Sequence, residues 1–299
     1  MKRFFLLPLM ACAAHAAFAQ DLNLGTPPGA APVPIQITAS QGITWSQDAQ
    51  TVTATGDAKA VRGDVTVTAD ELVAHYVKKT DAGSQPAPSA PDASSSPLDQ
   101  GNAQLTELDA IGHVHIYTAT DNAWGDHAVY SVGQQVLVLT GKKLKLTTPQ
   151  DTITARDSIE YYAGEHKAIA RGDALIMANG GRSIAADVIT GYFNSQASGG
   201  TAQPAAQNAD GLSQGGNLKR VEAMGSVVIK TPSDTAMGDR GVYLPPTGQA
   251  RLGGNVRIIH GPNELAGADA LVNMKTGVAT LLAGPGGQVS GVILPGSGK

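Results

Sequence analysis

The chain has very little cysteine, few aromatic residues and no long apolar run beyond its N-terminus. Its one cysteine is Cys12, close to the start of its 299 residues, so disulfides do not stabilise the body of the protein. Aromatic residues make up 4% of the sequence, which leaves Val, Ile, Leu and Ala to form a core. No ten-residue window keeps a 3.6-residue apolar period, because Gly, Thr, Val and Asp recur too often. These absences exclude a disulfide scaffold and a helical bundle, and they favour a β-protein.

The first twenty residues predict export. Lys2 and Arg3 precede an apolar stretch from Phe4 to about Ala14, and small residues lead up to a cleavage site between Ala19 and Gln20. This order is typical of a secretory signal peptide, and the apolar stretch is too short to span a bilayer as a helix. An exported compartment, the periplasm, is therefore predicted.

A minor alternative is a lipoprotein anchored through Cys12, which follows the sequence Leu-Met-Ala. Met fits poorly in such a cleavage box, and the apolar run ahead of Cys12 is very short.

Removal of residues 1–19 leaves a formal net charge of about −6, because Lys2 and Arg3 are lost and every acidic residue remains. No general basic field exists to hold nucleic acid, so no nucleic-acid partner is expected.

A glycine-to-aspartate repeat runs through the remainder of the chain. Each copy has a glycine, a short run that alternates apolar and polar residues, and an aspartate 14–16 residues later. Uninterrupted copies are 28–31 residues apart, a spacing typical of stacked supersecondary units. The glycine and aspartate pairs are Gly56 and Asp70, Gly112 and Asp126, Gly141 and Asp157, Gly172 and Asp187, Gly225 and Asp239, and Gly253 and Asp269.

Two segments poor in large apolar residues interrupt the repeat, and the repeat resumes in phase after each. They cannot bury enough surface to offset the entropy of ordering, so they are predicted to be surface loops. The predicted organisation is a signal peptide at 1–19, a flexible N-terminus at 20–33, one β-domain at 34–285 with insertions at about 78–105 and 195–217, and a flexible tail at 286–299.

Each copy predicts two short strands, with a glycine turn at each return, where the chain reverses direction between strands. The Gly141 copy shifts its apolar pair by one residue, which predicts a β-bulge there. An all-β chain of about 12 to 16 short strands can form a twisted open sandwich or a β-helix-like solenoid, and either leaves an unpaired edge strand at each end. The apolar face is compatible with a closed core or with a slot for acyl chains.

Three segments resemble the LptA/OstA-like family of periplasmic lipopolysaccharide transport proteins. They read PIQITASQGITWSQDAQTVTATGDAKAVRGDVTVTADELVAHY at 34–76, LDAIGHVHIYTATDNAWGDHAVY at 108–130 and VEAMGSVVIKTPSDTAMGDRGVY at 221–243. The resemblance implies a twisted open β-jelly roll built from six to seven two-stranded repeats. It also implies a non-enzymatic protein without cofactors that carries lipopolysaccharide from an inner-membrane export complex to an outer-membrane β-barrel translocon. Copies would join edge to edge as a head-to-tail homo-oligomer.

Within that family the lipid-facing residues lie inside the roll, and plain core packing is an equal interpretation of each. The positions that match here are Ile35, Ile37, Val65, Val67, Val114, Ile116, Leu144, Leu146, Ile176, Val227, Ile229, Val256 and Ile258.

Other chemical motifs are weak. The G-x-S-x-G match at 211–215 lies in a polar loop and not at a strand-to-helix turn. His113, His115, Asp126 and His127 could be drawn as a metal site, but an exposed strand face is favoured, and no metal site is predicted. The repeated aspartates favour Asx turns over calcium binding. The rival functions are a closed-core periplasmic scaffold or filament and a β-helical polysaccharide-active enzyme.

Overall fold

The computed structural model describes residues 35–78, 103–194, 218–273, 276, 278–284 and 287–292. The predicted signal peptide with its Ala19–Gln20 cleavage site, Cys12, the interiors of both insertions and the G-x-S-x-G match at 211–215 lie outside the described residues. No helix within the described ranges is long and apolar enough to cross a membrane.

The regular structure of the described residues is entirely β-strand, and every pairing is antiparallel. The strands are β1 (Gln36–Thr38), β2 (Gly42–Ser46), β3 (Thr51–Arg62), β4 (Val65–Lys78), β5 (Ala103–Tyr117), β6 (Asn122–Ser131), β7 (Val136–Thr140), β8 (Leu144–Thr147), β9 (Asp151–Ala155), β10 (Ser158–Tyr162), β11 (Lys167–Ala178), β12 (Arg182–Phe193), β13 (Leu218–Lys230), β14 (Asp234–Leu244), β15 (Gln249–His260), β16 (Asn263–Asn273), β17 (Val278–Leu282) and β18 (Ser290–Val292).

Four pairs of short strands act as halves of one interrupted strand, because both halves of a pair lie along the same neighbour. These are β1 and β2, β7 and β8, β9 and β10, and β17 and β18. When each such pair is counted as one strand, the strands form one continuous meander in which each pairs with the next along the chain. The chain is an all-β, open β-jelly roll, as the sequence predicts.

Most strands are longer than the alternation predicts, because the glycine lies inside a strand and not at a return. Gly112 has a φ of 78° and the next residue, His113, has a φ of 45°. The pairing of β5 with β6 shifts register at this point, between Ile111 and Val114. Two successive left-handed residues form a β-bulge that bends the strand. The prediction of glycine turns is therefore wrong.

The same bulge recurs in other copies, where a left-handed glycine precedes a left-handed polar residue. The pairs are Gly56 and Asp57, Gly172 and Asp173, Gly225 and Ser226, and Gly254 and Asn255. In the last copy the bulge glycine is thus Gly254 and not Gly253. At Gly141, where a bulge is predicted, the strand is broken between β7 and β8.

Five of the six repeated aspartates also lie inside strands, so the prediction of Asx turns is wrong for those five, whereas Asp157 lies at the break between β9 and β10. All except Asp269 face the glycine of the following copy. Asp126 accepts a hydrogen bond from the Lys142 backbone N–H at 2.8 Å. Asp239 accepts one from Asn255 Nδ2 at 3.0 Å. The aspartate therefore satisfies polar groups at the bulge.

Three of the hairpin returns use a different signal, a threonine followed three residues later by an aspartate. In each, the aspartate N–H donates to the threonine Oγ1 at 3.0–3.1 Å, and the threonine N–H donates to the aspartate carbonyl at 2.9 Å. This is a side-chain-closed turn that pre-organises the hairpin. The three returns are Thr118 to Asp121, Thr148 to Asp151 and Thr231 to Asp234.

One apolar cluster fills the inside of the roll from Val65 in β4 to Ala270 in β16. A smaller cluster of Val52, Ala74 and Tyr76 extends it toward the N-terminal edge. Many of the buried side chains are alanines, so the two faces of the bent sheet approach closely. Because small side chains fill much of the interior, few aromatic residues are needed to complete the core.

Candidate functional site

The thirteen positions predicted to face lipid all lie on the inner side of the roll. Eight are buried: Val65, Val67, Val114, Ile116, Leu144, Val227, Val256 and Ile258. Leu146, Ile176 and Ile229 are half-buried against the same cluster. Ile35 and Ile37 are half-buried at the N-terminal end. The position of these side chains agrees with a lipid-facing or a core role, and their contact with lipid stays a prediction.

The strand registers bring many of these positions into one line across the sheet. Directly paired residues on antiparallel strands share a face, with Cβ atoms about 5 Å apart. Following the pairs from β1 to β16 gives an unbroken series of aliphatic residues, here called the aliphatic row. Its members are Ile37, Ala60, Val67, Ile116, Ala123, Leu146, Ile153, Ile176, Ile184, Ile229, Ala236, Ile258 and Leu265.

A second line, closer to the bulges, pairs larger residues with small ones. Val114 lies opposite Gly125, Val227 opposite Gly238, and Val256 opposite Gly267. These valines are each 1% exposed. The line beside the bulges is therefore closed to solvent, whereas parts of the aliphatic row are only half-buried.

Several members of the aliphatic row are not among the predicted positions, although the sequence carries a signal for them. Ala123, Ile184 and Ala236 each lie three residues before a repeat aspartate, as Val67 does. Apolar and polar residues alternate before the aspartate, just as they do after the glycine. A second strand that is taken to start around the aspartate leaves these residues out.

The interior opens at its N-terminal end into an apolar cavity of about 50 Å³. Ile35 and Ile37 form one wall, and the aliphatic row continues from this cavity into the roll through Val67 and Ile116. At the C-terminal end, Leu244, Leu271 and Val278 line a wider, solvent-open recess on the outer face of β14 to β17. The apolar interior thus reaches the surface at the N-terminal end of the sheet.

The strongest polar network faces away from this interior. Glu160 in β10 accepts hydrogen bonds from Ser158 Oγ at 2.7 Å, Tyr162 Oη at 2.8 Å and Arg171 Nε at 2.8 Å. Burial raises the pKa of Glu160, but these hydrogen bonds and the Arg171 charge outweigh it and hold that pKa below its usual range. The neighbouring Ile159 packs inside the roll, so the network lies on the outer face.

The histidines considered for a metal site are held apart. His113 Nδ1 lies 2.8 Å from Asp70 Oδ2. His115 Nε2 lies 3.0 Å from Asn122 Oδ1, and its ring stacks on Trp124 at 4.9 Å. The grouping of these residues with Asp126 and His127 is therefore not formed.

Comparison with known proteins finds a match to one family model and a similar solved structure. Residues 36–167 match the family model described as LptA/(LptD N-terminal domain) LPS transport protein. No curated protein matches the chain. Among solved structures, the chain is similar to LptH from Pseudomonas aeruginosa, described as the LptA-homologous periplasmic component of the lipopolysaccharide transport device. The identity is 14% and the TM-score 0.39, over 48% of this chain and 95% of that one.

The family match covers strands β1 to the start of β11, and the same meander continues through β16. Residues 36–167, a little under half of the chain, are therefore similar to the LptA/LptD N-terminal family of lipopolysaccharide transport proteins.

Proposed function

We propose that the protein is a periplasmic carrier that binds the acyl chains of lipopolysaccharide along the aliphatic row. The observation that supports this most directly is the continuity of the row, which crosses thirteen strands without a polar side chain. At about 4.8 Å between neighbouring strands, the row is on the order of 60 Å long. A closed domain core of this size does not require a row of this length, whereas a path for acyl chains does.

Lipid enters the path where the row is only half-buried. Leu146, Ile176 and Ile229 are partly exposed, whereas Val114 and Val227 beside the bulges are closed off. Opening the two faces of the bent sheet along these half-buried positions exposes the row without disrupting strand pairing. Burial of acyl chains there contributes about 25 cal/mol per Å² of apolar surface removed from water.

The charge of the protein supports binding through acyl chains and not through phosphates. The mature chain carries a net charge of about −6, and lipopolysaccharide is itself anionic. Repulsion between like charges favours an arrangement in which the phosphorylated sugars stay in solvent and the acyl chains lie inside.

The open sheet edges suit a bridge between membranes. β1 and β2 form one edge, and β17 and β18 the other, so a second β-domain can add strands at either end. We infer a head-to-tail homo-oligomer whose ends meet an inner-membrane lipopolysaccharide export complex and an outer-membrane β-barrel translocon. N-terminal sequencing of the mature protein tests its export: a chain beginning at Gln20 supports cleavage after Ala19, whereas a lipidated Cys12 supports anchoring.

Site-specific photo-crosslinking in cells that export lipopolysaccharide tests the carrier function. A crosslinker at Ile37, Ile176 or Ile229 is expected to capture lipopolysaccharide. Met177 is the matched control, because it follows Ile176 and its side chain is exposed on the opposite face. Adducts at the inner positions but not at Met177 support transport. No adduct at any inner position favours the rival function, a closed-core scaffold, which the near-complete burial of Val114 and Val256 would suit.

A further inference from the structure

A group of metal-ligating side chains lies on the outer face of strands β4 and β5, on the opposite side of the sheet from the aliphatic row. His75 in β4 is paired directly with Glu107 in β5, and Asp109 is the diagonal neighbour of His75. One potential ligand atom from each of the three residues lies within 4.8 Å of the other two. The neighbouring Ala74 and Leu108 pack inside the roll, so the three side chains point outward together.

We propose that His75, Glu107 and Asp109 bind a divalent transition-metal ion of the Zn²⁺ class. In a tetrahedral site with metal–ligand bonds of about 2.0–2.1 Å, ligand atoms lie about 3.4 Å apart. His75 Nε2 is 3.0 Å from Asp109 Oδ2, which is close to that separation. Small side-chain rotations of Glu107 complete a set of one imidazole nitrogen and two carboxylate oxygens.

His127 in the next strand, β6, is the candidate fourth ligand, although it lies outside the group of three. Its Nε2 lies 3.8 Å from Asp109 Oδ1, the carboxylate oxygen that does not face His75. Asp109 thus lies between two imidazoles, and the four residues span three consecutive strands. A rigid antiparallel sheet holds such ligands in place at little entropic cost on binding.

The chemistry of this ligand set favours zinc-like ions over calcium or magnesium. Imidazole nitrogen suits Zn²⁺, Ni²⁺ and Cu²⁺, whereas Ca²⁺ and Mg²⁺ take oxygen ligands. The side chains of His75, Asp109 and His127 are all partly buried, which limits competition from water. A bound ion would also neutralise two carboxylates that lie two residues apart on one face.

The site lies at the base of the first insertion. His75 is three residues before the end of β4 at Lys78, and Glu107 is four residues after the start of β5 at Ala103. A metal ion shared between β4, β5 and β6 would join these strands where the chain leaves the roll. Metal binding is therefore expected to raise the stability of the N-terminal half of the protein.

Titration of the tag-free mature chain with Zn²⁺ by isothermal calorimetry tests the proposal. We expect one ion per chain, with binding weakened at least tenfold in His75→Gln and in Asp109→Asn. His113→Gln is the matched control: His113 forms a similar pair with Asp70 at 2.8 Å but lies outside the cluster, so its binding should equal that of the unmodified chain. Circular dichroism of each variant establishes that it is folded.

Substitution of His127 and replacement of Zn²⁺ by other ions complete the test. His127→Gln is expected to weaken Zn²⁺ binding less than His75→Gln does, and bound Co²⁺ should give the intense visible absorption of a tetrahedral site. Millimolar Ca²⁺ or Mg²⁺ should not displace Zn²⁺. Absence of one-to-one binding, or equal binding by folded His75→Gln and Asp109→Asn, would overturn the proposal.

Discussion

At the residue scale, the bulge glycines are required for two independent reasons. Gly112 adopts a left-handed backbone conformation that strains any residue with a Cβ atom. A Cβ atom there would also overlap the Asp70 carboxylate, which faces the bulge from the neighbouring strand. The glycine of one copy therefore packs against the aspartate of the preceding copy, and the two residues do not act as separate turn signals.

We predict that Gly112→Ala destabilises the protein by about 3 kcal/mol or more, because backbone strain and the overlap with Asp70 both contribute. Gly63 separates the two effects: its φ is 56°, but a Cβ atom there would meet nothing within 4 Å. Gly63→Ala should therefore cost only about 1 kcal/mol. Urea unfolding of both variants measures the difference. Equal losses would show that the contact with Asp70 contributes nothing.

A second prediction at this scale concerns the pH dependence of stability through Asp151. Burial raises the pKa of this carboxyl to about 6, and its buried Oδ1 has no hydrogen-bond partner among the described residues. Because the folded-state pKa is higher than the unfolded one, the unfolded chain ionises first. Asp151 therefore lowers stability as the pH rises from about 4 to about 6, and the full cost persists above that window.

Asp151→Asn should remove this cost. We expect it to raise the free energy of unfolding by about 1 kcal/mol at pH 7.5, a figure reduced from the full pKa shift because the residue is only partly buried. The gain should vanish below about pH 4. Exposed Asp48 supplies the control, and Asp48→Asn should give no such pH-dependent gain. A gain that is equal at pH 3.5 and pH 7.5 would contradict the assignment.

At the scale of the strand, the two edges of the sheet differ from the rest of the surface. Among the described residues, most of the exposed large apolar side chains lie at these edges: Ile43, Trp45, Val278, Leu282, Val289 and Val292. Exposed apolar residues on an unpaired strand favour pairing with another chain. The edges therefore combine unpaired backbone groups with apolar surface.

We predict that Val278→Lys combined with Thr280→Lys in β17 abolishes self-association, because charge on an edge strand opposes strand addition. Sedimentation velocity over a range of concentrations measures the effect. Met177→Lys combined with Met224→Lys is the control, since these exposed apolar side chains lie on interior strands β11 and β13. If the control dissociates the oligomer and the β17 variant does not, the interface lies elsewhere.

The sequence predicts which side chains share a face better than it predicts where strands end. Alternation by two after the glycine correctly assigns Val114 and Ile116 to the inner side. The glycine itself is misread, because a turn and a bulge both require a left-handed residue, and only the neighbouring strand distinguishes them. The same limit applies to the metal-ligating cluster: His75 and Asp109 are distant in sequence and meet only through the register of β4 and β5.

At the scale of the whole molecule, the two insertions leave the roll on the same side. The connections from β4 to β5 and from β12 to β13 lie at the strand ends opposite to the threonine–aspartate returns. At each insertion the flanking residues are already paired: Lys78 with Ala103, and Phe193 with Leu218. The roll therefore does not need either insertion to hold its strands in register.

The N- and C-terminal limits of the roll follow from the same pairings. β18 at 290–292 pairs with β16, so paired structure extends into the segment for which a flexible tail is predicted. β4 and β5 likewise reach into both ends of the predicted first insertion. Strand pairing across large sequence separations determines these limits, and local composition does not.

Replacement of residues 79–102, of residues 194–217, or of both by Asn-Gly tests the assignment of the insertions as loops. Because the flanking residues are paired, a two-residue type I′ turn can close each hairpin. We expect the cooperative unfolding transition to be retained and stability to be unchanged or higher by about 1–2 kcal/mol, since a shorter loop costs less entropy to close. Circular dichroism and hydrogen exchange report the outcome. Loss of protection in β11 to β15, far from the first insertion, after removal of 79–102 alone would show that this segment supports the roll as a whole.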